Sequence, residues 1–273
     1  MFAGGGIRCF WHGGFMAAAA RPLDFRPRRI CGVSGGALSA AAFLGDVEER
    51  LLDTMADAFG RTDRNVSWHD LDGTHGLTPH QRIYREVVDA VLASPAQEKI
   101  AAGPAFQVFV SLPSPRAPRL HAMLAGGGYE VEKAILKRPR TALARALGMR
   151  GLRIDARQAA REGRLHDLVA AAATIPPVFR IPEWDGRPVT DGGMLDQAPR
   201  PDPDGGRTLF LMTRGYARLP ESGPREAYVV PSAHPAGNKI DFTDPGTLRN
   251  AWELGERDGR AWLSARTDDR SER

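Results

Sequence analysis

Cysteine is nearly missing from this chain: Cys9 and Cys31 are the only two in 273 residues. Two thiols cannot build a disulfide framework, and both are expected as small core fillers in a reducing compartment. Lysine is almost as scarce, present only as Lys99, Lys133, Lys137 and Lys239, so the net charge of +4 rests on arginine. With Ala, Gly and Pro abundant, that bias is the usage of a GC-rich genome, and no basic stripe interleaved with aromatics marks a nucleic-acid partner. No apolar run is long enough to span a bilayer, and the first residues pass directly into motif sequence instead of a secretory leader. His, Cys, Asp and Glu do not fall at metal-ligand spacing, so neither metal nor cofactor is implied. These absences point to a cytoplasmic protein, peripheral to a membrane at most, whose length suits one large domain with a substantial core.

Glycine is abundant, and three short motifs use it in a telling order: Gly4-Gly5-Gly6-Ile7-Arg8, Gly32-Val33-Ser34-Gly35-Gly36 and Asp191-Gly192-Gly193. Ile30 to Val33 reads as the end of a buried strand and Gly35 to Leu44 as an Ala-rich helix, so Ser34 falls on a strand-to-helix elbow. The glycines around it leave room for a sharp turn, and the helix N-terminus favours negative charge near the serine. Gly4, Gly5 and Gly6 expose backbone N–H groups suited to an oxyanion or a phosphate, and the apolar stretch Phe10 to Ala20 continues as a helix. Neither a P-loop nor a dinucleotide fingerprint is present. Asp-Gly-Gly occurs twice. Asp204-Gly205-Gly206 sits in a Pro/Gly cluster and reads as a solvent turn, whereas Asp191 closes the run Pro188-Val189-Thr190, fed by a hairpin turn at Asp185-Gly186. Asp191 is therefore the candidate general base for a Ser34 nucleophile, a parts list for acyl transfer.

A rival arrangement adds His234, giving Ser34–Asp191–His234 in the chain order of α/β-hydrolases, with His12-Gly13-Gly14 imitating their oxyanion motif. The elbow comes too early in the chain for that fold, and His234 lies in a Pro-containing loop, so the dyad is preferred.

Elsewhere, Thr78 to Ala93 has helical periodicity, Phe106 to Val110 reads as a buried strand, and Thr208 to Met212 and Ala227 to Val230 are further strands. A closing helix is expected from Asp244-Pro245 to about Trp262. Gly126-Gly127-Gly128, lacking a following Arg and apolar helix, reads as a turn. The segment Arg61 to Leu77 has no periodicity and is expected as a surface connection or a lid. Alternating strands and helices imply a mainly parallel sheet covered on both faces.

Taken together, the motifs resemble those of the bacterial patatin-like phospholipases, serine acyl hydrolases with a Ser–Asp dyad. Phe2 to Arg8 is similar to the family's oxyanion loop, Gly32 to Gly36 to its elbow, Asp191 to Gly193 to its aspartate motif, and Ala171 to Phe179 to the segment preceding that aspartate. Ala3 stands where many members carry an acid, and Cys9 where many carry glycine. The resemblance implies a three-layer α/β/α sandwich over residues 1–265; the stretch 266–273, by its charge, reads as a disordered tail. It implies Ser34 as nucleophile, Asp191 as base, Gly4, Gly5 and Gly6 as the oxyanion hole, and Arg8, Gly32, Gly35, Gly36, Gly192 and Gly193 in support. The expected substrate is an acyl lipid, cleaved at a carboxylic ester. A serine acyltransferase and a catalytically silent lipid-binding protein are the alternatives.

Overall fold

Side chains alternate between two separate cores along each central strand. Phe106, Val108 and Val110 enter one cluster and Phe109 the other; Phe2, Ile30 and Leu211 lie on the first side, while Ala3, Cys31, Val33, Phe210 and Met212 lie on the second. A strand buried on both faces reads as a continuous apolar run, which is why these segments show little polar alternation.

The computed structural model describes residues 1–62, 79–136, 139–140, 142–176, 179–217, 219, 222–238 and 241–271. A 3₁₀ turn, Gly6–Cys9, leads into α1 (Phe10–Ala19), β1 (Arg29–Val33) and α2 (Gly35–Gly45). Then come α3 (Glu48–Gly60), α4 (Pro79–Val91), α5 (Ala96–Ala102), β2 (Ala105–Leu112), α6 (Pro118–Leu136) and α7 (Leu143–Ala146). β3 (Arg150–Asp155), α8 (Ala156–Arg161) and α9 (Leu165–Ala172) precede three short strands, β4 (Glu183–Trp184), β5 (Arg187–Pro188) and β6 (Thr190–Asp191). β7 (Thr208–Leu211), β8 (Glu226–Val229) and α10 (Pro245–Ser271) complete the chain.

The fold is α/β, with a mixed sheet between two helical layers. β1 pairs with β2 and β7 with β8, both in parallel. Phe2 bridges Gly32 on one side and Leu211 on the other, so a one-residue first strand joins the two halves. β3 and β6 are antiparallel to β2. Helices α1 to α5 and α8 to α10 contribute to the first core, while Ala125 of α6 and Ala144 of α7 enter the second. Glycines let α1 and α10 approach closely: a Cβ on Gly13 or Gly14 would strike Trp252, and one on Gly255 would strike the Trp11 carbonyl.

The Asp185-Gly186 turn forms as expected, with both residues at positive φ between β4 and β5. Gly206 is also left-handed, at φ 89°, in the exposed turn around Asp204. Two expectations need correction. Gly126-Gly127-Gly128 is not a turn but the middle of α6, where small residues let the helix lie near Met194 and Leu143. The closing helix does not stop near Trp262: it runs to Ser271 and takes in the start of the expected tail. One turn later, Arg266 places its guanidinium 4.1 Å from the Trp262 ring, an i,i+4 contact that extends the helix. The proposed lid lies, from residue 63 onward, outside the described residues.

Candidate active site

Sheet topology brings Ser34 and Asp191 together. β1 ends at Val33, opposite Phe109 of β2, and the chain turns away into α2. β3 occupies the other edge of β2 over this stretch, so β6 pairs on the edge that β1 has vacated, with Asp191 opposite Val110. The carboxylate thus arrives one step beyond the strand that delivers the serine. Ser34 Oγ donates to Asp191 Oδ2 at 2.6 Å, and the two residues are only 5% and 4% exposed.

Ser34 has φ 55° and ψ −136°, a strained conformation for a residue with a side chain. Its glycine neighbours are there for space. A Cβ on Gly32 would come within 2.7 Å of the Ala37 backbone, and one on Gly36 would strike the carbonyls of Phe2 and Ala3. One on Gly35 would meet Gly6 O at 2.8 Å, so the elbow leans directly on the N-terminal loop. The aspartate is fixed from three sides. Gly193 N–H donates to Asp191 Oδ1 at 2.7 Å, the Asp191 amide donates to Thr174 O at 2.8 Å, and Gly192 packs against the Phe109 carbonyl, where a Cβ would not fit.

The N-terminal loop is held by residues far along the chain. Thr213 Oγ1 donates to Gly4 O at 2.6 Å, and Gly4 N–H donates to Gln197 O at 3.0 Å. The second bond gives Gly4 N–H, one of the three expected oxyanion donors, an acceptor within the protein. Gly5 and Gly6 sit at the opening of the 3₁₀ turn, where the first N–H groups have no acceptor within the helix. Gly6 has φ 60°, the left-handed region open to glycine.

Arg8 ties this loop to the chain beyond β8: its Nε donates to Ala236 O at 2.9 Å and an Nη to Gly237 O at 2.8 Å. Partial burial, reinforced by the nearby Arg214 charge, lowers its pKa from the ordinary guanidinium value. Arg214 stacks over Tyr216, 4.4 Å from the ring centroid, and one of its Nη groups is buried without a hydrogen-bond partner.

These groups share one narrow cavity of about 80 Å³. Leu38, Leu51, Met55, Ile175, Phe179 and Phe242 supply apolar walls, while Arg8, Arg214 and Asp191 are its only charged lining residues among those described. Sequence reading missed Gln197, Thr213, Tyr129, Tyr84, Arg214 and Tyr216. Gln197 Nε2 donates to Gly193 O at 2.9 Å and to Tyr129 Oη at 3.0 Å, linking the aspartate motif to α6. The Tyr84 hydroxyl is buried in the wall without a hydrogen-bond partner, and burial pushes its pKa up. None of the six lies in a motif, and no local pattern marks them.

Neither histidine of the rival arrangement, His234 of the triad or His12 of the imitated oxyanion motif, lines this cavity. His234 is exposed in its loop. His12 is fully buried in α1, its Nε2 3.1 Å from Leu211 O, and desolvation lowers its pKa to about 3. Cys9 and Cys31 are both buried and not joined in a disulfide, and burial pushes the Cys31 thiol up to about 12. Among the described residues, no cluster of His, Cys, Asp and Glu could hold a metal ion, and no helix is long and apolar enough to cross a membrane.

A family model described as patatin-like phospholipase matches residues 1–203, which takes in the loop, the elbow and the aspartate motif. No curated protein matches the chain.

Proposed function

The chain belongs to the patatin-like phospholipase family, and from that premise we propose that it hydrolyses carboxylic esters of acyl lipids through a Ser34–Asp191 dyad. Family membership supports lipid acyl hydrolysis in general; the residue roles that follow are our reading. The 2.6 Å hydrogen bond from Ser34 Oγ to Asp191 Oδ2, inside a cavity with apolar walls, carries it.

Ser34 Oγ attacks the ester carbonyl carbon while its proton passes to Asp191 Oδ2. The carbonyl oxygen becomes an oxyanion, met by the N–H groups of Gly5 and Gly6. Collapse breaks the bond to the alcohol, which leaves with the proton from Asp191 and yields an acyl-Ser34 ester. Water, deprotonated by the same carboxylate, then attacks that ester, and the fatty acid departs as Ser34 regains its proton. Asp191 Oδ1 stays bonded to Gly193 N–H, which holds the carboxylate in one orientation.

The apolar walls suit the acyl chain, and Arg8 and Arg214 make the remaining lining positive, favouring an ester that carries an anionic group such as phosphate. Arg8, with two carbonyls already on its guanidinium, is a positioning residue for the loop.

A fluorophosphonate probe and a panel of phospholipids and neutral lipids test the reading. Wild-type protein should be labelled once, at Ser34, and should release fatty acid. Ser34→Ala should do neither; labelling or release at the wild-type level in that variant would refute the assignment.

A further inference from the structure

The helix α6 is apolar on two opposite faces. Ala122, Ala125 and Tyr129, spaced three and four residues apart, are buried against the protein. On the other side Leu120, Met123 and Leu124 are 60%, 44% and 58% exposed. α7 lies alongside and adds Leu143 and, at its C-terminal cap, Leu147, also exposed. Its placement is fixed at both ends: a Cβ on Gly128 would come within 2.8 Å of Leu143, and His121 Nε2 is 3.0 Å from Leu147 O. Five of the eight large apolar side chains exposed among the described residues therefore belong to this helix pair and Leu147, the residue that caps α7. A second apolar face on a helix that is already buried along the first normally has something covering it.

The charge around this face says what covers it. By sequence, residues 113–150 carry eight Lys and Arg against two Glu; of the eight, the described side chains are Arg116, Arg119, Arg140, Arg145 and Arg150, and Arg140 and Arg145 lie beside Asp196. Arg116, Arg119, Arg145 and Arg150 are exposed beside the leucines. Of the two acids, Glu132 accepts the backbone N–H groups of Ala142 and Leu143, which commits it to the start of α7. Exposed leucines ringed by arginines match the surface of an anionic bilayer: the apolar side chains enter the acyl boundary and the guanidinium groups remain among the phosphates. The buried face of the same helix supplies Tyr129 to the catalytic cavity, so docking would hold the cavity wall about 10 Å from the lipid, one helix diameter.

The geometry points to the exposed α6–α7 face as a docking surface for anionic membranes. Its use in delivering substrate rests on the proposed lipase activity, but the docking itself does not. Binding and catalysis are therefore read separately.

Co-sedimentation of the full chain with vesicles of equimolar phosphatidylcholine and phosphatidylglycerol tests it, with pure phosphatidylcholine vesicles and hydrolysis of a water-soluble short-chain ester alongside. Wild-type protein should bind the anionic vesicles far better than the neutral ones and lose binding as salt rises. Leu120→Ser/Leu124→Ser should lower the partition coefficient by roughly 100-fold, about tenfold for each leucine withdrawn from lipid. Arg116→Gln should lower it by about fivefold. The soluble-ester rate should not change in any of them. Leu147→Ser, at the C-terminal end of α7, provides an independent variant if the double mutant folds poorly, and Leu23→Ser, exposed elsewhere, should bind as wild type. Wild-type protein that ignores anionic vesicles, or a double mutant that binds them undiminished, would overturn the proposal. So would a concentration-dependent dimer that the double mutation dissolves, because the face would then be covered by a second copy. Absence of ester hydrolysis with intact vesicle binding would defeat the catalytic reading alone.

Discussion

The tripeptide Gly-Gly-Gly occurs twice, and the two copies do opposite things. At Gly4–Gly6 it opens a 3₁₀ turn, with Gly6 left-handed and Gly4 held by the Thr213 hydroxyl and the Gln197 main-chain carbonyl. At Gly126–Gly128 it lies inside α6, in ordinary helix, where the missing side chains only let neighbours come close. Glycine permits both outcomes and dictates neither. What decides is the surroundings: the first copy is wedged between Thr213 and Gln197 and cannot become a regular helix, while the second is flanked by His121 to Ala125 and Tyr129 to Leu136, which propagate one.

Substitution should separate the two copies sharply. Gly5→Ala has the largest expected effect. Its new Cβ would fall within 2.7 Å of Thr213 Cβ, displacing a loop that Thr213 itself anchors, so turnover should fall on the order of 10²–10³. Near-normal kcat in that variant would break the contrast. A third use of glycine, in the seam between α1 and α10, gives the next effect. Gly14→Ala would press a methyl into the Trp252 carbonyl and should cost about 1–3 kcal/mol in denaturant unfolding while the purified protein keeps its kcat.

His12, beside that seam, adds a pH signature. Its folded pKa is lowered to about 3 from an ordinary 6.5, so between those values the unfolded chain binds a proton that the folded chain refuses. Stability should therefore fall as pH drops below 6.5, by about 1.4 kcal/mol per unit from this group, and level off below about pH 3. His12→Gln should flatten that part of the profile; an unchanged slope would mean that another group governs it. The smallest effect belongs to the second glycine copy. A Cβ on Gly127 would meet nothing within 4 Å, so Gly127→Ala should raise stability by about 0.8–1.0 kcal/mol and leave turnover unchanged.

The same contrast explains what the sequence could and could not disclose. Ser34 and Asp191 were legible because each sits in a short motif whose glycines answer a local need, a sharp elbow in one case and a close pass of the Phe109 carbonyl in the other. Strands such as Phe106–Val110 were legible as apolar runs. The second glycine run was misread because nothing local distinguishes a turn from a helix that needs small residues for packing. Gln197, Thr213 and Tyr129 were invisible for a related reason. Their hydrogen bonds span 209 residues from Thr213 to Gly4 and 68 from Gln197 to Tyr129, and such pairings exist only once the sheet has formed. The engagement of Gly4 N–H by Gln197 O is the clearest instance: a three-residue motif cannot show which of its amides the fold has already used.

The central claim is that Asp191 takes the proton of Ser34 directly. The turnover of Asp191→Asn on one acyl ester, measured beside Ser34→Ala and His234→Ala, tests it most directly. An amide holds the position but cannot accept the proton, so Asp191→Asn should be nearly as inactive as Ser34→Ala, and His234→Ala should retain most of the wild-type rate. A substantial rate in Asp191→Asn together with an inactive His234→Ala would contradict the account, because the proton would then be moving through a histidine.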